Sequence, residues 1–401
     1  MPQPIWQWKS RFRRNSFGWK SQPAITRIKE AVSEIKQVAK KDPLLGAEGA
    51  VLFLERVAPA IEQVDSSSGS IGTAVNGAIR ALVPLIAAAP ADLKTRQAWL
   101  ERLWQTRQND DMPYLELLDE RWGELCAGPE LASQWAEQLL GAVAYAWRPD
   151  RGIGEMTRGT VICLSSLFTA GRYDEILTRL QSAPFVLWHW QVWGVRALAA
   201  QGRTDEALQF ALGSLNRNDS PASAACECES ILLAAGRVDE AYREHALLAN
   251  RVGTNLGTYR AIAKKYRNIA PAKILRDLIA STPGEEGKWF ATAKELGMWS
   301  EALALAQTSP CDPKTLARAA RDFATEQPAF AVQAGLAALN WFGQGYGYDV
   351  TSADVWAAHQ ATLEAAEAMG DVAAVKARIR QVVVRGGPAS FVAQVLGRVL
   401  G

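Results

Sequence analysis

Apolar residues recur along this chain at intervals of three and four positions, which is the period of an amphipathic helix. In residues 23–41 this period places isoleucine and valine on one stripe and lysine on the rest of the surface, which predicts a basic amphipathic helix. The same period predicts helices over residues 46–63, four within 71–145, and others over 315–324, 330–341, 352–369, 373–384 and 389–400. No run of period-two alternation is long enough to predict a sheet.

A glycine at the end of an alanine-rich stretch is followed five times by residues suited to starting a new helix. The copies begin at Gly171, Gly202, Gly236, Gly297 and, more weakly, Gly370. These glycines lie 31, 34, 61 and 73 residues apart, and such an interval indicates stacked helical hairpins. Each glycine is predicted to end a helix in the left-handed conformation, and the Asp or Ser three residues later to cap the next helix. The small residue five positions after the glycine is predicted to let two helices approach closely, as at Ala207, Ala241 and Ala302.

This hexamer, Gly-Arg-Thr-Asp-Glu-Ala at residues 202–207, resembles the second half of the tetratricopeptide repeat, which has a glycine at the turn and an alanine five positions on. The resemblance covers about residues 155–310, although the first-helix positions of that family are not kept in register. It implies an all-α fold, a right-handed α-solenoid of stacked antiparallel helix hairpins, and it implies no particular chemistry. The whole chain also resembles uncharacterised bacterial helical proteins.

The 401 residues exceed the size at which a single core stops growing, about 250–300 residues, so several regions are expected. We predict a basic aromatic arm over residues 1–22, an N-terminal helical region over 23–147, the tetratricopeptide-like region over 155–310, and a C-terminal helical region with a cap over 311–401. The loop at residues 148–154 is the predicted main boundary.

Charge is distributed unevenly along the chain. The net charge is +2, but residues 1–41 hold ten Lys and Arg against two Glu, a balance of +8, so the remaining residues carry −6. This asymmetry predicts either an anionic partner or docking of the arm on the chain's own acidic body.

In the arm, aromatic rings alternate with cations, an arrangement that suits a single-stranded nucleic acid because bases stack on rings while cations contact phosphates. The same residues could instead lie on an anionic membrane or contact a partner protein. Folding back to bury the rings is the favoured interpretation, since exposed tryptophans favour aggregation. The candidate nucleic-acid or partner contacts are Trp6, Trp8, Lys9, Arg11, Arg13, Arg14, Trp19 and Lys20.

Trp188, Trp190 and Trp193 lie on one predicted helix, where Trp188 and Trp190 are about 200° apart and cannot share a face. One side is predicted to enter the core and the other to line a concave binding surface, because tryptophan is favoured as a binding anchor. Packing of the whole cluster in the core is the favoured alternative.

No metal, cofactor or catalytic group is predicted. Cys226 and Cys228 point about 200° apart on a helix, and no second Cys or His pair follows to complete a zinc site. The glycine-rich residues 343–347 lack the Lys and Ser or Thr of a phosphate loop and are predicted to form a turn. The acidic cluster at residues 110–120 is predicted to be a solvated helix face, with docking of the basic arm as the alternative.

The expected function is therefore a non-catalytic scaffold that binds a peptide or protein partner on a concave helical surface, and the alternative is a nucleic-acid-binding protein that uses its arm. The longest uncharged apolar run, residues 81–91, is shorter than the roughly 20 residues that cross a bilayer. The basic N-terminus lacks the apolar segment of a secretory signal, and five scattered cysteines suit a reducing compartment, so a cytoplasmic location is expected.

Overall fold

The computed structural model describes residues 6–148, 158–217 and 219–400, and every regular element in these ranges is a helix. The all-helical prediction is therefore confirmed for the described residues. The chain divides into two compact units, Met1–Ile231 and Leu232–Gly401. Apart from residue 148, the predicted boundary loop at 148–154 lies outside the described residues, and the predicted regions stay predictions.

The first unit opens with the arm, which contains a single 3-10 turn at Lys9–Arg11. Its helices are α1 Ser21–Ala39, α2 Pro43–Ala60, α3 Ser70–Ala88, α4 Leu93–Gln108, α5 Leu117–Glu120, α6 Trp122–Cys126, α7 Pro129–Ala146, α8 Thr160–Thr169, α9 Tyr173–Gln181, α10 Trp188–Ala200, α11 Thr204–Gly213 and α12 Pro221–Ala234, which ends beyond Ile231. Several pairs of helices pack closely, including α1 with α2 and α3, α7 with α8, and α10 with α11.

The second unit continues with helices α13 Val238–Glu240, a π-helical turn Ala241–Ala246, α14 Leu247–Ala249, α15 Asn255–Lys265, α16 Pro271–Ala280, a 3-10 turn Glu286–Trp289, α17 Phe290–Glu295, α18 Trp299–Thr308, α19 Pro313–Asp322, α20 Pro328–Gly343, α21 Ser352–Met369, α22 Val372–Gly386 and α23 Phe391–Leu400. Helices α19, α20 and α21 make the most extensive mutual contacts of this unit. Its core is again formed by the apolar stripes of neighbouring helices.

The recurring glycine turns share one backbone geometry. At Gly171, Gly202, Gly236, Gly297 and Gly370, φ lies between 71° and 77°. At Gly202 the N–H bonds to the carbonyl of Ala199, and the N–H of Arg203 bonds to the carbonyl of Leu198. The other four copies repeat this pair of bonds, which satisfies the free carbonyls at a helix end. The left-handed prediction is confirmed at all five glycines, and Ala207, Ala241 and Ala302 are fully buried as predicted.

The predicted capping role of the Asp or Ser three residues after the glycine is wrong. Each new helix begins two residues after the glycine, so Asp205 is already the second residue of α11. The N-cap residue is Arg203, and its guanidinium donates hydrogen bonds from Nε and Nη2 to the Glu206 carboxylate at 2.8 and 2.6 Å. Arg237 pairs with both oxygens of Glu240 in the same way, and at the Gly171 copy both nitrogens of Arg172 donate to Oε2 of Glu175. An arginine has no acceptor atom, so it cannot cap the helix with its side chain.

Helix α3 is the one described helix that is long and apolar enough to cross a membrane by length and composition. Seven of its residues are buried in the first unit, and it contacts α1, α2 and α6 as a core helix does. Between residues 71 and 145 the prediction of four helices is corrected to five, because the short helices α5 and α6 are separate elements.

Candidate partner-binding surfaces

The aromatic half of the arm is docked on the first unit. Trp6, Trp8 and Phe12 are 7%, 3% and 1% exposed. The rings of Trp8 and Phe12 pack edge-on against Phe53 of α2, with centroids 5.5 and 5.1 Å away, and a Cβ at Gly49 would collide with the Trp6 ring. The predicted contacts Trp6 and Trp8 are therefore core residues, and their rings are not accessible for stacking on a base.

Two arm cations are engaged by carboxylates of the same unit. Arg11 pairs with Glu30 of α1 at 3.1 Å, and Arg14 pairs with Glu62, just after α2, at 3.5 Å. Both pairs are largely exposed, so each contributes little to stability. The other predicted contact residues of the arm are exposed, and they are Lys9, Arg13, Trp19 and Lys20.

A groove of about 870 Å³ runs between α1 and α3. Its α1 wall is formed by positions 25, 28, 29, 32, 33, 36 and 37 with position 40 just after the helix, and its α3 wall by positions 70, 73, 74, 77 and 78. Both sets follow the spacing of a single helix face. Because position 25 and position 40 are 15 residues apart, the α1 wall extends for about 22 Å. The groove is therefore long enough to take about four turns of another helix.

The floor of this groove is apolar and its α1 edge is cationic. Ile25, Ile28 and Val32 form the floor on α1. On the α3 side the small residues Ala74 and Gly77 project little into the groove. A Cβ built at Gly77 meets no atom within 4 Å, so the space above it is open. The groove can therefore accept an apolar surface that approaches α3 closely at Gly77.

The lysines of the groove, Lys29, Lys36 and Lys40, are exposed and make no ion pair within the part of the chain that the structure describes. The two carboxylates of α1 are used elsewhere. Glu30 accepts from Arg11 and Arg27, and Glu34 accepts from the backbone N–H of the arm residue Gln7 at 2.9 Å. Docking of the arm therefore engages the acidic side of α1 and leaves its lysine side without counter-charges.

The predicted acidic surface at residues 110–120 is in part a buried ion cluster. Asp110 and Asp119 are 3% and 6% exposed. Arg107, itself buried, donates from Nε and Nη2 to Asp119 at 2.9 and 3.1 Å, and Asp110 accepts from the N–H of Leu115 at 2.8 Å. Burial raises the pKa of Asp119 to about 7, and the adjacent guanidinium opposes this rise. The solvated-face prediction is wrong for these two residues because Arg107 of α4 draws them inward.

A cleft of about 410 Å³ opens beside this cluster. Its rim carries exposed Glu116 and Glu120 together with His189, whose pKa is lowered by partial desolvation although the two glutamates act in the opposite direction. Thr160 lies in its wall, and its buried hydroxyl has no hydrogen-bond partner among the residues that the structure describes. Among the described residues no group of three or more His, Cys, Asp or Glu could hold a metal ion. The cleft is therefore lined mainly by polar and charged side chains.

The tryptophans of α10 divide as their angles require. Trp190 and Trp193 are 2% and 3% exposed, with Trp190 against Trp147 at 5.1 Å between ring centroids and Trp193 against Phe168 at 5.8 Å. Trp188 is half-buried and packs against two clusters of buried apolar residues, one that includes Trp193 and one that includes Val195. Core packing therefore accounts for two of the three predicted surface contacts, and Trp188 alone keeps part of its ring exposed.

The groove is the feature that sequence reasoning missed, although part of its signal was present. The lysine stripe of α1 is visible in the periodicity of residues 23–41. The small residues of α3 have the same spacing, but only tertiary packing places them opposite α1.

No known family model matches this chain, and no curated protein is significantly similar to it. Its function is therefore inferred from the surfaces of the molecule itself. Among these surfaces, the groove between α1 and α3 combines a volume of about 870 Å³ with uncompensated charge.

Proposed function

We propose that this protein is a non-catalytic interaction scaffold that holds a helical segment of a partner protein in the groove between α1 and α3. The observation that carries the proposal is the open apolar floor beside Gly77, bounded by single faces of two helices. An amphipathic helix that lays its apolar face into such a groove is a recurring mode of protein recognition. The groove requires no rearrangement of the chain, because its floor is already open.

The right-handed, tetratricopeptide-like solenoid belongs to the same proposal. Five glycine corners with the same pair of backbone hydrogen bonds support stacked hairpins as the building principle, as do the contacts of α8 with α9, α10 with α11, α17 with α18 and α21 with α22. In such proteins each hairpin buries its apolar face against its neighbours, and the exposed helix faces remain for binding.

The burial of Trp6 and Trp8 weakens the nucleic-acid alternative, because stacking of bases on aromatic rings supplies much of the affinity for a single strand. The cations Lys9, Arg13 and Lys20 remain exposed beside Trp19 and could contact phosphates only as point charges. A catalytic role for the polar cleft is not favoured either. The Thr160 hydroxyl is not hydrogen-bonded to His189, so no base activates it as a nucleophile.

Filling the groove tests the proposal. The Gly77→Trp substitution places an indole in open space on a helix face, so the fold should be retained while the groove is closed. Gly141→Trp is the matched control, since Gly141 is also an exposed helical glycine with no atom within 4 Å of a built Cβ. The probe is a labelled 18-residue helical peptide with a leucine stripe and glutamine elsewhere, and binding is followed by fluorescence anisotropy.

We expect the full chain and Gly141→Trp to bind the peptide alike, and Gly77→Trp to bind it at least tenfold more weakly, since a filled groove cannot bury the leucine stripe. Circular dichroism checks that both variants stay helical. Equal binding by the two variants would mean that the groove is not the site.

A further inference from the structure

We infer that the partner helix is acidic, with carboxylates arranged to meet Lys29, Lys36 and Lys40 along the edge of the groove. This inference rests on the proposed function and names the chemistry of the partner. It is carried by the juxtaposition of an apolar floor with three exposed lysines that have no counter-charge among the described residues. Charge complementarity of this kind selects a partner and steers its approach.

The spacing of the lysines fits a helix better than an irregular peptide. Lys29 and Lys36 are two turns apart on α1, and Lys36 and Lys40 are one turn apart, so all three ammonium groups lie along one edge. Carboxylates separated by seven and four residues on a partner helix lie along one edge as well. A parallel helix beside α1 would bring three opposite charges together with this spacing, and an antiparallel helix would do so with the four- and seven-residue intervals in the reverse order.

The floor sets the other half of the partner's pattern. Ala74, Gly77 and the buried Ala78 of α3 present small side chains to the groove, so a neighbouring helix could bring large apolar side chains down to Ile28 and Val32. The expected partner has leucine-like residues at spacings of three and four, flanked by glutamate or aspartate on the side that faces α1.

The arm explains why these lysines are available. Arg11 and Arg27 donate to Glu30, and the Gln7 N–H donates to Glu34, so both carboxylates of α1 are held by other donors and neither pairs with a groove lysine. The chain thus keeps a local positive field beside an apolar groove, although its net charge is only +2.

The test compares two peptides on three proteins. The acidic peptide carries a leucine stripe with glutamates spaced seven and four residues apart, and its neutral counterpart has glutamine at those positions. The proteins are the full chain, the groove variant Lys29→Gln/Lys36→Gln/Lys40→Gln, and a control variant of equal charge change, Lys9→Gln/Arg13→Gln/Lys20→Gln, whose exposed cations lie in the arm. Binding is measured by fluorescence anisotropy at 50 mM and 300 mM salt.

We expect the full chain to bind the acidic peptide about tenfold more tightly than the neutral one at low salt, and the preference to shrink at high salt because exposed charge pairs are screened. The preference should disappear in the groove variant and persist in the control variant. A preference that survives in the groove variant, or that is lost equally in both variants, would overturn the inference.

Two further outcomes separate the inference from the proposed function. If Gly77→Trp abolishes binding of both peptides while the groove variant keeps full preference, the groove binds helices but the acidic partner is wrong. If Gly77→Trp leaves binding of both peptides unchanged, the proposed function itself fails. The last experiment is sedimentation with phosphatidylserine and phosphatidylcholine vesicles. Vesicle binding that depends on the three lysines, without a preference for the acidic peptide, would show that the lysine edge binds a lipid surface and would overturn the inference.

Discussion

Burial separates the arm residues that hold the fold from those that are available to a partner. Trp8 is 3% exposed and contacts Phe53, whereas Trp19, eleven residues later, is 72% exposed. The two tryptophans are equivalent in an alternation of rings and cations, yet only the first lies over α2. At this scale the sequence predicts which residue types occupy the arm, and tertiary packing decides the role of each.

The arm should therefore detach when a buried ring is removed. Truncation of a large buried aromatic side chain costs about 3–5 kcal/mol, so Trp8→Ala should speed amide exchange of the arm, including the Asn15 N–H that bonds to the Pro59 carbonyl, on the order of a hundredfold. Hydrogen exchange followed by mass spectrometry measures the change. Trp19→Ala is the control and should leave exchange unaltered, and equally fast exchange in both variants would contradict docking of the arm.

The glycine corners were predictable at the residue scale because their cause is local. A left-handed residue at a helix end favours glycine whatever packs around it, so the sequence alone identifies Gly171, Gly202 and Gly236. The role of the following Asp was not predictable in the same way. The helix begins two residues earlier than a cap at this Asp would require, and an arginine at the cap position pairs with a glutamate in the first turn instead.

A pair of substitutions on α11 tests the strain argument. Gly202→Ala places a Cβ on a residue with φ of 77°, which should lower the free energy of unfolding by about 1–2 kcal/mol. Gly213→Ala, at the end of the same helix with open space around its Cβ, should raise it by up to about 1 kcal/mol, because alanine favours the helix. Urea unfolding compares the two. A stabilising effect of Gly202→Ala would show that this corner is not strained.

At the scale of elements, local signals set the helix bounds well wherever caps are strong. Helix α21 spans Ser352–Met369 as predicted, because Thr351 and Asp354 form a reciprocal capping box at its start and Gly370 ends it. The acidic segment after α4 was harder to predict. Its carboxylates resemble a solvated surface until Arg107, twelve residues before Asp119, is brought beside them.

Breaking that buried ion pair should be costly, whereas removing both partners should not. Arg107→Met leaves Asp110 and Asp119 buried without their cation and is expected to lower the free energy of unfolding by about 3–5 kcal/mol. Arg107→Met/Asp119→Leu should recover a large part of this loss, because it removes one uncompensated carboxylate. Arg321→Gln, which breaks an exposed pair with Asp322, should have no measurable effect. If the double variant is less stable than Arg107→Met, the pair is not the source of the loss.

At the scale of the whole molecule, the sequence shows the charge asymmetry between arm and body and offers docking of the arm as one of its two uses. It does not show how the +8 charge of residues 1–41 is distributed. The structure divides it into Arg11 and Arg14, which pair with nearby carboxylates, and the uncompensated lysine edge of α1. The sequence pattern alone predicts α1 as a basic amphipathic helix. The groove, however, depends on direct packing of α3 on α1, two helices that α2 separates in the chain, and no local signal encodes that packing.

The docked arm also makes a prediction for nucleic acids that separates the two functional classes. With Trp6 and Trp8 in the core, the arm presents its cations and Trp19 to an oligonucleotide, so binding by the arm should be electrostatic and should lack most of the stacking contribution of about 1–3 kcal/mol per base. We therefore expect the full chain to bind single- and double-stranded oligonucleotides with the same weak, steeply salt-dependent affinity, measured by anisotropy across a salt series. The Lys9→Gln/Arg13→Gln/Lys20→Gln variant, which leaves the rings in place, should reduce this salt slope. Tight, single-strand-selective binding with quenching of tryptophan fluorescence would instead require the arm to undock, and it would favour the nucleic-acid class over the scaffold.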